Sequence, residues 1–105
     1  MNYLTKYQDI KTDIQTVGVE LNDFLHTRIK KLIIKLKKHL PEVNFIDVYV
    51  KQTDKQTSYP RKINVRFGVP GHDLVASEEG YNWKTLLKSV EKKLKRQLNK
   101  RKMTF

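Results

Sequence analysis

Arg28, Lys31, Lys35 and Lys38 recur at intervals of three and four residues, and so do Lys84, Lys88, Lys92 and Lys95. Cationic side chains at that spacing line one side of a helix. A row of ammonium and guanidinium groups does one kind of chemistry well, which is to hold a polyanion. Lys102 extends the second row, and Arg96 and Lys100 thicken it on its flank. Between Asn22 and Leu40 six bases face one acid, and between Lys84 and Lys102 nine face one; the two segments carry +13 while the whole chain of 105 residues carries +11. The rest of the protein is slightly acidic. The plainer reading of such lysines is the solvated side of an amphipathic helix, but a solvated side normally mixes signs. In the second segment only Glu91 offsets nine bases, and repulsion of that size favours a bound anion.

Other chemistry has little to build on. Cysteine is absent, and His26, His39 and His72 form no His-x-x-x-His pair, so neither a disulfide framework nor a zinc site is expected. Ser58, Ser77 and Ser89 lack a nearby base with a positioning partner of its own. His72-Asp73 reads as turn chemistry, and Glu78 and Glu79, adjacent on an extended segment, point apart and simply precede a helix. No metal, no cofactor and no enzymatic activity are expected.

The elements that must carry the two rows follow from apolar periodicity. Ile10, Ile14, Val17 and Val19 suggest a strand within Asp9 to Val19 with an irregular end near Gly18, behind a polar lead from Met1 to Gln8. Asn22 can cap a helix whose stripe is Leu25, Ile29, Leu32, Ile33, Leu36 and Leu40, with Pro41 just past its end. Ile46, Val48 and Val50 alternate with polar residues, as do Ile63, Val65, Phe67 and Val69, which is the pattern of half-buried strands. Between them Lys51 to Pro60 is polar and long enough for a mobile hairpin loop. Pro70-Gly71 makes a turn with glycine at the positive-φ position, Leu74 and Ala76 a short strand, and Asn82 caps a last helix striped by Trp83, Leu86, Leu87, Val90, Leu94 and Leu98. Acids before that helix and bases along it suit its dipole.

The order β-α-β-β-β-α makes an α+β fold. One four-stranded mixed sheet is expected, its first two strands parallel through a right-handed crossover and the hairpins antiparallel. Each helix has one apolar stripe, so both must pack on the same sheet face, side by side. The outward rows then merge into one basic surface. Residues 1–105 form one domain, with no segment able to span a bilayer.

Residues 65–78, Val-Arg-Phe-Gly-Val-Pro-Gly-His-Asp-Leu-Val-Ala-Ser-Glu, followed by Asn82-Trp83-Lys84 and by Lys93-Leu94-Lys95-Arg96-Gln97-Leu98-Asn99-Lys100, resemble the ribosome hibernation-promoting and ribosome-associated inhibitor family. The helix opening Val19-Glu20-Leu21-Asn22 is similar too, so the likeness covers roughly Asp9 to Lys102. It implies a domain in the decoding channel of the small ribosomal subunit, its basic helices against ribosomal RNA, keeping ribosomes inactive in slow growth or stress. Lys93, Arg96 and Lys100 match the family's basic positions; Lys31, Lys35 and Lys38 fall in its lysine-rich first helix. The residues ahead of the first strand depart from the pattern, and the chain looks like a short form without the second domain of long members.

The partner expected is therefore the small ribosomal subunit through its RNA, in the cytoplasm, rather than DNA or a membrane, and the free protein is expected to be a monomer. The RNA-binding residues are Arg28, Lys31, Lys35, Lys38, Lys84, Lys88, Lys92, Lys93, Lys95, Arg96 and Lys100. Tyr49, Tyr59, Tyr81 and Phe105 are candidates for base stacking; Trp83 belongs to the core. Two readings stand beside this one. A general RNA-binding module akin to a double-stranded RNA-binding domain would begin with a helix, and a membrane-surface or protein-interaction module would need a spare apolar face.

Overall fold

A computed structural model of the chain describes residues 1–7, 9–53 and 59–103, the side chains of 102 and 103 apart. Five strands form one sheet in the spatial order of the sequence: β1 (Asn2–Tyr7), β2 (Ile10–Val17), β3 (Phe45–Gln52), β4 (Arg61–Gly68) and β5 (Leu74–Gly80). Helix α1 (Asp23–Lys37) joins β2 to β3, and α2 (Trp83–Met103) follows β5. β2 and β3 are parallel and every other pair is antiparallel. The expected mixed sheet is present, with one strand more than its alternation pattern announced.

That extra strand corrects the reading of Met1 to Gln8 as a polar lead. Tyr3, Thr5 and Tyr7 turn toward the helices while Asn2, Leu4 and Lys6 turn away. The alternation is real, but hydroxyls occupy the inner positions and a leucine, 82% exposed, occupies an outer one. Tyr7 pairs with Ile10, and Asp9 takes φ 67° in the tight turn between them, a conformation that aspartate tolerates better than most residues. Buried Tyr7 then holds α1: its hydroxyl lies 2.9 Å from His26 Nε2, with the rings edge to face.

The helix-facing rows of the sheet are largely apolar, with Thr12 and Thr16 of β2 as buried hydroxyls among them. Tyr3, Ile14, Val48, Val65 and Ala76 stand in one register line, and Ile46, Phe67 and Leu74 in the next. Leu25, Ile29, Leu32, Ile33 and Leu36 of α1 and Leu86, Leu87, Val90, Leu94 and Leu98 of α2 close over them as one core. Trp83 sits half-buried at its margin, with the Arg61 guanidinium 5.8 Å from its ring. Both caps form: Asn22 Oδ1 accepts from Leu25 N–H at 2.9 Å and Asn82 Oδ1 from Thr85 N–H at 3.3 Å.

The irregular end expected near Gly18 is a positive-φ residue, at 70°, packed so closely that a Cβ there would lie 2.1 Å from the Gln52 carbonyl oxygen. Gly71 likewise takes φ 87° after Pro70. The hairpin pairing runs on to Gln52 and Arg61, so part of the stretch read as a loop from Lys51 to Pro60 is strand; 54–58, where mobility was expected, lie outside the described residues.

β5 is longer than the alternation of Leu74 and Ala76 suggested, and takes in Glu78 and Glu79. Those acids do not sit at the start of α2, whose first turn has none. Glu78 pairs with Lys93 at 2.7 Å and Glu79 with Lys62 at 3.8 Å.

Candidate nucleic-acid interface

Side by side on the sheet, α1 and α2 leave a groove between their outer surfaces, about 480 Å³ in volume. Leu32, Ile34 and Leu87 supply its apolar lining. Arg28, Lys31, Lys35 and Lys38 stand along the α1 wall, and Lys88 on the α2 wall. These five are among the cations picked out by spacing, and the fold brings them to one place. Lys84 and Lys95 lie four residues before and seven after Lys88, on the same side of α2 at roughly 100° per residue. Lys92 and Arg96 are exposed beyond them, and Lys100 lies exposed in the last turns.

The groove is not uniformly positive. Glu91, half-buried, reaches across from α2 and sets one carboxylate oxygen 3.3 Å from Lys35 Nζ. At one end the Arg28 guanidinium lies 5.3 Å from the Phe24 ring, a cation–π contact that limits its freedom. The concentration of like charge around an apolar lining is a cost to the free fold that a bound polyanion would offset.

Lys93 belongs elsewhere. It projects from the opposite flank of α2, where Nζ donates to the Ser77 carbonyl at 3.0 Å and pairs with Glu78. The family resemblance counts it among the basic positions, and its contacts here fasten the helix to the sheet edge. Lys102, part of the same outward row by spacing, has its side chain outside the described residues. Of the candidate stacking residues, Tyr59 and Tyr81 are exposed with ring centroids 6.3 Å apart, Tyr49 is half-buried on the helix-free sheet face, and Phe105 lies outside the described residues. Sequence reasoning passed over Glu91 as anything but a charge offset. The signal available was its isolation among bases.

Among the described residues no group of three or more His, Cys, Asp or Glu is placed to hold a metal, and no helix is long and apolar enough to cross a membrane. The molecule is thus an α+β domain of one sheet with two helices on one face and a cationic groove along their junction. The chain belongs to the sigma 54 modulation protein / S30EA ribosomal protein family, whose pattern matches residues 12–104; this is the hibernation family that its turn and last-helix residues resemble. β1 lies ahead of the matched region. In fold the chain is similar to the N-terminal domain of Protein Y from Thermus thermophilus, with a TM-score of 0.71 at 15% identity over 87% of this chain and 96% of that one. A ribosomal subunit interface protein from Coxiella burnetii gives 0.66 at 18% identity over 86% and 97%. No curated protein matches it in sequence.

Proposed function

We propose that this protein is a ribosome-associated inhibitor of translation. In this reading it binds ribosomal RNA in the decoding channel of the small subunit, in the cytoplasm, and holds ribosomes inactive under slow growth or stress. The observation that carries the reading is the inter-helix groove, where Arg28, Lys31, Lys35, Lys38 and Lys88 converge on a chain of the S30EA family. A relative in fold named as a subunit interface protein supports the same address. The domain acts by occupancy: lysines exchange counterions for phosphates, and the shape of the RNA supplies the site. No step of this action is catalytic.

The alternative of a double-stranded RNA-binding module fits less well, because the chain opens with two strands rather than a helix. A membrane-surface role lacks a free apolar stripe, since those of both helices lie in the core; co-sedimentation with anionic vesicles tests it.

The test of the main reading is sedimentation of small subunits with the protein through a sucrose gradient. Wild type co-sediments, and reversal of Lys31, Lys35, Lys88, Lys92 and Lys95 to glutamate abolishes binding while the circular dichroism of the fold persists. Affinity falls by on the order of one decade per decade of salt for each phosphate neutralised. Transfer RNA with its messenger competes with the protein. Simultaneous saturation of one subunit by both would place the domain outside the decoding channel.

A further inference from the structure

The pair at the middle of the groove has a hydrogen-bonding pattern of its own. Lys35 Nζ and the Glu91 carboxylate, 3.3 Å apart and both lining the groove, present one donor followed by two acceptor oxygens. A cytosine offers the same sequence of groups along its pairing edge. Its complement is guanine, whose O6 accepts and whose N1–H and N2–H donate. Leu32 and Leu87, the apolar groups that the two facing helices bring to the groove, suit the flat surface of a base, and the lysines beside them suit the adjoining phosphates.

We propose that this groove receives one unstacked guanine of single-stranded RNA, with O6 on Lys35 and the N1–H and N2–H donors on Glu91. The assignment rests on the reading of the basic surface as an RNA interface, and adds to it a base preference. The other bases fit less well for stated reasons. Adenine can set N1 on Lys35 and give N6–H to one carboxylate oxygen, but it brings no second pairing-edge donor to the other. Uracil has one N–H between two carbonyls, so an acceptor opposes an acceptor. Cytosine can set N3 on Lys35 and give N4–H to one carboxylate oxygen, and likewise leaves the other without a pairing-edge donor. A carboxylate in a polyphosphate site also needs a reason to be there, because it repels the backbone; two N–H donors from a base supply one. The bland account is that Glu91 only relieves crowding around Lys35. It predicts no discrimination among bases.

The experiment uses the full chain and four fluorescent RNA heptamers, uridine at every position except the centre, which is G, A, C or U. Fluorescence anisotropy at fixed salt should show the G heptamer bound about tenfold more tightly than the others, the order expected for a bidentate base contact. In Glu91→Gln, one acceptor becomes a donor, so the preference for G should collapse to within about twofold while all four RNAs bind at least as well as U does to wild type, since a repelling charge is gone. Equal binding of all four RNAs by wild type overturns the proposal, and so does a G preference that survives in Glu91→Gln. Binding to small subunits without any binding of the heptamers overturns it while leaving the ribosomal reading in place; loss of both overturns both.

Discussion

Gln97 grips the backbone of Val75 with both ends of its side-chain amide. Oε1 accepts from Val75 N–H at 3.0 Å and Nε2 donates to the Val75 carbonyl at 2.6 Å. A side chain of α2 thus takes the positions that a sixth strand would occupy on the outer edge of β5. Lys93, bonded to the Ser77 carbonyl, and Arg101, bonded to the carbonyls of His72 and Pro70, continue the contact four residues to either side. One flank of α2 therefore closes the sheet edge, an arrangement that blocks edge-to-edge pairing, while the opposite flank faces α1 and the groove.

Replacing Gln97 by alanine removes two bonds to partly solvated groups, which water then replaces, so the expected loss is about 1 kcal/mol. For a domain of this size that lowers Tm by roughly 4–8 °C. The freed edge should also make the variant associate at high concentration. Thermal unfolding and light scattering of Gln97→Ala measure the two effects. Lys93→Ala should behave in the same way and reduce ribosome binding far less than Lys88→Ala; equal losses of binding would return Lys93 to the interface.

Acid sensitivity should trace to the turn before β5. Arg66 donates from Nε to Asp73 Oδ2 at 2.8 Å, and Val69 N–H donates to Oδ1 at 3.3 Å. The bond from the Arg66 side chain is the main cause that holds the Asp73 carboxyl below the usual carboxylate range. A depressed folded value means that the contribution is complete above the unfolded value, about pH 4, and is lost as pH falls through the folded one. Urea unfolding should find Asp73→Asn less stable than wild type by a constant margin from pH 5 to 7, shrinking below pH 4. A margin that does not change down to pH 2 would remove Asp73 from the acid response.

The parts of this fold that alternate or repeat with apolar residues were legible in the chain. Ile46, Val48 and Val50, or Leu25 through Leu40 between Asn22 and Pro41, declare their period because their inward members are all aliphatic. β1 was not legible, because its inward members are Tyr3, Thr5 and Tyr7 and its exposed position 4 is leucine. Helical spacing also placed Lys31, Lys35 and Lys88 outward, as they are. It could not say which rows of two helices would face each other, so it left Glu91 as an offset, and Lys93 was counted with the binding residues on the family resemblance alone. Those assignments depend on the rotation of α1 and α2 about their axes, which only packing against the sheet decides.

Strand β1 should contribute stability without contributing binding. It precedes the matched family region, yet Tyr7 is 5% exposed and bonded to His26. Tyr7→Ala should cost about 3 kcal/mol as a large-to-small change in the core, while Tyr7→Phe, which keeps the ring, should cost about 1 kcal/mol. Burial also pushes the Tyr7 phenol up. Its contribution is therefore complete below the ordinary tyrosine value of about 10 and is lost as pH rises through the folded one, an alkaline limb that Tyr7→Phe should lack. Small-subunit binding by Tyr7→Phe at 25 °C should equal that of wild type, and a marked drop would make β1 part of the interface.

The free protein should be monomeric, and alone it should not couple two ribosomes. With the β5 edge occupied by Gln97, Lys93 and Arg101, the edge open to a second copy is β1, where the register with β2 turns the backbone groups of Asn2, Leu4 and Lys6 outward. Antiparallel pairing of two such edges about Leu4 would bury that leucine and set Asn2 opposite Lys6 of the other copy, with no like charges in contact. Against it stand six residues of strand, a single exposed leucine per copy, and two bodies of net charge +11. The two leucines together supply about 3–6 kcal/mol if both are fully buried, which lies at the low end of the roughly 4–15 kcal/mol that association costs in lost freedom before charge repulsion is counted. Light scattering at physiological salt should therefore give the mass of one chain, 12.5 kDa, across the accessible concentration range, and Leu4→Lys should leave it unchanged. Intact ribosomes mixed with the protein should sediment singly. A dimer that persists on dilution in wild type and disappears in Leu4→Lys would show that the β1 edge outweighs the charge.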